Sequence, residues 1–152
     1  MTKMGVQQIL LSPDKETKPI LEYLCQQSGK LYNTGVYFAR QTFFKTGKIL
    51  TGKFDLDYEP SISKTTLKTS LPSTPAQQTL RSVIEAFKSF KELRSLFLKG
   101  QLHFRPKVPD YLKGSKLFKV AYPNSGGQKP KLVDGTLRFS LAGCRRNTDV
   151  SE

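Results

Sequence analysis

Asp55, Asp57 and Glu59 alternate along a short stretch of the chain, and clustered carboxylates are the side chains that hold divalent cations. Metal-dependent phosphodiester cleavage needs several carboxylates converging on two ions about 4 Å apart. Here they lie between Gly52 and Pro60, a setting that reads as a surface loop rather than a metal centre. His103 is the only histidine, so a Ser-His-Asp triad or a His-based metal site rests on one candidate. Cys25 and Cys144 are far apart and outside any Cys-x-x-Cys pattern, which argues for neither a disulfide framework nor a zinc ribbon. Gly126-Gly127 lacks the spacing of a phosphate loop. No catalytic residue, metal or cofactor is assigned.

The stronger candidates bind rather than react. Twenty-five Lys and Arg against 12 Asp and Glu give a formal charge of +13 in 152 residues. The excess runs through the whole chain: ten basic and six acidic groups in residues 1–70, seven and two in 71–107, eight and four in 108–152. Such a surplus repels itself in a compact fold unless a polyanion neutralises it, so nucleic acid is the expected partner. Arg105, Lys107, Lys113, Lys116 and Lys119 alternate with Phe104, Tyr111 and Phe118. Cations neutralise phosphates while aromatic faces stack on unpaired bases, although lysines scattered over an ordinary β-surface give the same pattern. Further candidates are Arg40, Lys45 and Lys48, whose charge also suits a helix C-terminus, and Lys91, Arg94 and Lys99. No run approaches the roughly 18 apolar residues that cross a bilayer, and Met1 to Leu11 lacks the features of a signal peptide, so a soluble cytoplasmic protein without a membrane partner is expected.

These residues need elements to position them. Met4 to Leu11 is short and apolar, which predicts a strand. From Thr17 the apolar residues recur at steps of three and four through Phe43, which predicts one long helix, bent at Gly29 and closed at Gly47, with Pro19 in its first turn. Residues 48–73 read as a connector with at most a short helical piece around Ser63 to Ser70. Thr74-Pro75-Ala76-Gln77 combines an N-cap threonine, a proline at the first helical position and a capping glutamine. The helix it opens carries Ala76, Leu80, Val83, Ile84, Phe87 and Phe90 on one stripe and stops at Gly100. Arg105 to Pro109 is an extended basic link, Leu117 to Tyr122 a strand, and Lys131 to Leu141 a hairpin turning at Asp134-Gly135. The fold class is α+β: a small antiparallel sheet or barrel assembled from both chain ends, with two long helices inserted.

At Leu31-Tyr32-Asn33-Thr34-Gly35-Val36-Tyr37-Phe38-Ala39-Arg40-Gln41, at Ala76-Gln77-Gln78-Thr79-Leu80 with Ala86-Phe87-Lys88-Ser89-Phe90, and at Val120-Ala121-Tyr122-Pro123 with Asp134-Gly135-Thr136-Leu137-Arg138-Phe139, the sequence resembles the N-terminal part of TnpB. That family comprises transposon-encoded, RNA-guided nucleases ancestral to type V CRISPR effectors and long described as insertion-sequence transposases. The resemblance spans Met4 to Leu141. It implies a wedge-like β domain from residues 4–11 and 104–141, interrupted by a helical recognition lobe over residues 12–103. It also implies transposon-derived guide RNA and DNA as partners. Family members continue into a RuvC-like nuclease domain and a zinc ribbon, and this chain has neither motif. Residues 142–152 do not resemble the family and read as a disordered tail of a truncated or frame-shifted reading frame. Within the motifs, Tyr32 fits a core aromatic, whereas Asn33 fits a helix-packing hydrogen bond or a nucleic-acid contact equally.

Three functions compete. One is a truncated TnpB-like protein that keeps the nucleic-acid-binding regions without the nuclease. Another is a transposon remnant with no activity. The third is an autonomous DNA-binding regulator built on a helix-turn-helix, against which the connector is far longer than the roughly 3–4-residue turn such a motif needs.

Overall fold

The structure is a computed structural model that describes residues 5–64 and 70–141. Helix α1 spans Thr17–Thr46 and runs through Gly29 as one element. Pro19 sits in its first turn, where the missing N–H has no carbonyl to meet. Ahead of it, the Asp14 carboxylate accepts the Thr17 N–H at 2.6 Å, and these hydrogen bonds from Thr17 hold the Asp14 carboxyl below the usual carboxylate range. The helix closes on Gly47, whose φ of +73° suits glycine and whose N–H reaches the Phe43 carbonyl at 2.8 Å. Gly29 has a second use. A Cβ there would overlap the carbonyl oxygen of Lys116, so the glycine admits a second backbone against the helix.

Helix α2 is one turn, Pro60–Ser63. The short helical piece expected around Ser63 to Ser70 falls mostly on residues 65–69, which lie outside the described residues. Helix α3 spans Ser73–Leu98 and buries the expected stripe of Ala76, Leu80, Val83, Ile84, Phe87 and Phe90. Its start corrects the capping expectation. The first helical residue is Ser73, the residue before it, Pro72, offers no capping side chain, and the Thr74 N–H is taken by Gln128 Oε1 at 3.0 Å. A glutamine from a distant loop replaces the local box because Pro72 and Pro75, both buried, pull the helix entrance into the core. At the other end Gly100 has φ +71°, and the N–H groups of Gly100 and Gln101 reach the Phe97 and Leu96 carbonyls at 3.0 Å, a Schellman stop.

The two long helices run parallel. Ser28 meets Thr79, Gly35 lies against Leu80 and Val83, and Phe43 meets Phe90 edge-on at 5.5 Å between centroids. Parallel neighbours need a return crossing, and the connector supplies it while adding Leu56, Ile62 and Leu71 to the core.

The β expectations need correction. Strands β1 (Lys131–Val133) and β2 (Thr136–Arg138) form the antiparallel hairpin around Asp134-Gly135, both with positive φ as a type I′ turn requires. The described residues hold this one sheet and no closed barrel. Residues 5–11 form no strand: Val6 and Leu10 are fully exposed, and no sheet edge lies beside them to satisfy their backbone. Met4 and residues 142–152 lie outside the described residues. Leu117 to Tyr122 is extended but joins no sheet. Its hydrogen bonds go to α1 instead, Phe118 N–H to the Cys25 carbonyl at 3.1 Å and Ser28 Oγ to the Lys119 carbonyl at 2.8 Å.

Candidate nucleic-acid interface

The chain after α3 lies antiparallel along α1, and one face of that helix sets its course. Arg40 donates from a guanidinium nitrogen to the Pro109 carbonyl at 2.8 Å, and Asn33 Oδ1 accepts the Leu112 N–H at 2.8 Å. Farther back Gly29 admits Lys116, which takes a left-handed φ of +54°, and Phe118 stacks on Tyr32 with centroids 4.4 Å apart. Burial pushes the Tyr32 phenol and the Cys25 thiol above their ordinary values.

The clamp at Arg40 brings the basic link against the C-terminal turns of α1 and α3. Between them lies an open groove of about 780 Å³. Phe43, Phe44, Phe90 and Phe97 line it, with Arg94, Arg105 and Lys107 as cations from two separate segments. Asp110 is the one acidic lining residue, and it faces Arg40 at 3.7 Å. Arg94 is held with its guanidinium 5.5 Å from the Phe43 ring centroid. A second groove of about 600 Å³ is lined by Lys48, Lys91, Arg94 and Lys99 and shares Arg94 and Leu98 with the first. Together the two grooves form a basic surface with one exposed ring, Phe44.

Compared with protein-family models, curated proteins and solved structures, the chain finds no match. The reading of the site therefore rests on its own geometry.

That geometry divides the candidate residues. Arg105, Lys107, Arg94 and Lys91 come together across the two grooves, with Arg40 as the strut behind them. Lys113, Lys116 and Lys119 are exposed farther along α1, beside Asn33, Gly29 and Cys25, and line neither groove. Lys45 is exposed in the last turn of α1 and also lines neither. The Asn33 amide oxygen is used internally. The rings differ from those expected from sequence: Phe118 has one face on Tyr32, and Tyr111 has the Arg40 guanidinium 5.4 Å from its centroid. Of the groove's rings Phe44 is exposed, with the Arg40 guanidinium 5.3 Å from its centroid, and Phe97 is half-buried, both at the ends of the apolar stripes; Phe104 is exposed but does not line the groove. Apolar residues continuing a stripe onto turns rich in Arg and Lys were the available signal.

The alternating acids do not converge. Asp55 accepts the Gly52 N–H at 2.9 Å, Glu59 accepts the Ser61 hydroxyl at 3.2 Å, and Asp57 is buried. Among the described residues no three metal-ligating side chains group together. No helix among them is long and apolar enough to cross a membrane.

Proposed function

We propose that the chain is a nucleic-acid-binding part of a TnpB-like, transposon-encoded RNA-guided system, holding guide RNA and DNA without performing nuclease chemistry itself. The groove between the ends of α1 and α3 carries this reading, because it gathers Arg94, Arg105 and Lys107 around the exposed Phe44 ring and the half-buried Phe97 ring with one carboxylate in the lining. The charge of +13 supplies a general attraction for polyanions, and the groove supplies a place for it to act. The three sequence motifs of the family resemblance fall on α1, on α3 and on the chain that closes over α1 through the β1–β2 hairpin. A helix-turn-helix regulator fits less well, since α1 and α3 run parallel with a long return between them.

The test is a binding titration of the full chain with transposon-end RNA and an unrelated RNA of equal length at several salt concentrations. Preference for the transposon-end RNA is expected. Equal affinity for both would leave only nonspecific attraction and reject the specific role.

A further inference from the structure

We infer that the groove between the ends of α1 and α3 takes an unpaired stretch of nucleic acid, with bases on Phe44 and Phe97 and phosphates on Arg94, Arg105 and Lys107. This rests on the nucleic-acid reading above and adds which form of the polymer occupies the site. Phe87 is fully buried, Phe90 nearly so, and Phe118 is covered by Tyr32, whereas Phe44 is 60% exposed in the groove wall, with the Arg40 guanidinium 5.3 Å from its centroid and the rest of the ring open, and Phe97 is half-buried there. Leu98 beside it is 70% exposed. An apolar protein partner would have to bury the neighbouring cations without counter-charges, which desolvation opposes strongly.

A duplex supplies the counter-charge but keeps its base faces inside, so it leaves the rings wet and contacts only the cations. An unpaired strand offers both: phosphates for the guanidinium and ammonium groups, and open base faces for the rings. Arg94 suits this role, because the Phe43 ring lies 5.5 Å from its guanidinium while the residue stays exposed to a phosphate approaching from solvent. The second groove, entered past Arg94 and bordered by Lys48, Lys91 and Lys99, continues the phosphate track beyond the rings.

Fluorescence anisotropy with the full chain, a labelled 15-nucleotide single-stranded RNA and the duplex of the same sequence tests this. The single strand is expected to bind more tightly. Phe44→Ala and Phe97→Ala should each weaken single-strand binding by between about fivefold and a hundredfold, leave duplex binding and the salt slope unchanged, and keep the melt of the parent. Phe44→Trp, which retains a stacking face, should restore binding. Tighter duplex binding, or alanine variants with parental single-strand affinity, would overturn the inference and leave the nucleic-acid reading standing. Displacement of RNA by an equal charge of polyglutamate would assign the groove to acidic peptides and overturn it as well. A folded chain that binds neither polymer would reject the underlying reading too.

Discussion

Asn33 Oδ1 accepts the backbone N–H of Leu112 at 2.8 Å, which pins the chain following α3 to the middle of α1. Both groups are partly buried, so neither gets full compensation from water. Asn33→Ala leaves the Leu112 N–H without its acceptor and should cost about 1–3 kcal/mol. Asn33→Asp keeps an oxygen in place and should cost less. Urea denaturation measures both, and an alanine variant with the parental midpoint would show that this bond does not hold the segment in solution.

Gly29→Ala sets two effects against each other. Alanine gains about 1 kcal/mol of helix propensity over glycine. The new Cβ, however, would overlap the Lys116 carbonyl, which is backbone and cannot swing away. Overpacking typically costs about 1–3 kcal/mol, so a net loss is expected. Gly35→Ala is the control. Its Cβ would meet Val83 Cγ2 at 3.1 Å and Leu56 and Leu80 methyls at 3.3 Å, all side-chain atoms that can shift. Thermal melts should rank Gly29→Ala as the more destabilised variant, and the reverse order would contradict the close approach of Lys116.

Cys25 and Tyr32 share a consequence of burial. Each is neutral at ordinary pH, and desolvation raises the pH at which it ionises in the folded chain. Their contribution to stability is therefore full below the ordinary thiol and phenol values and is lost as pH rises through the raised ones. Denaturation midpoints should fall on the alkaline side. In a Cys144→Ser background, alkylation of Cys25 should also rise at higher pH than for an unfolded peptide control. A thiol that titrates like the control would mean that the segment around Phe118 does not cover it.

The helices were legible because their signals are local: the three-and-four spacing from Leu24 to Ala39 and from Ala76 to Phe90 gives faces that any partner would bury. Asp134-Gly135 likewise dictates its own turn. The segment around Phe118 was misread as a strand because alternation shows an extended backbone but not where its hydrogen bonds go. They go to Cys25 and Ser28, partners more than 90 residues away in sequence. The Gln128 cap on Thr74 is nonlocal in the same way. For the candidate site, the cations were visible one by one, but their grouping depends on Arg40 holding Pro109. That contact separates Arg105 and Lys107 from Lys113, Lys116 and Lys119, which the sequence treats as one run.

The purified chain is expected not to cleave DNA or RNA with Mg²⁺. Asp55, Asp57 and Glu59 face different surroundings, and two-metal cleavage needs them to converge. Co-elution of any cleavage with the protein must be checked against contaminating nucleases. Activity that co-elutes and disappears in an Asp55→Asn/Asp57→Asn variant that still folds would overturn this.

The division of the basic residues gives the sharpest test of the interface. Each phosphate contact to a single strand contributes a slope of about 0.7 in the logarithm of affinity against the logarithm of salt. Changing Arg94, Arg105 and Lys107 to Ala should therefore flatten the slope by about 2. Changing Lys113, Lys116 and Lys119 to Ala removes the same charge from a surface that lines neither groove. Net charge falls by three in both variants, so a purely nonspecific attraction predicts matching slopes. A flatter slope for the groove variant alone places the phosphates between α1 and α3. The opposite result moves them to the face above Asn33 and Gly29, where the groove rings Phe44 and Phe97 would contribute nothing.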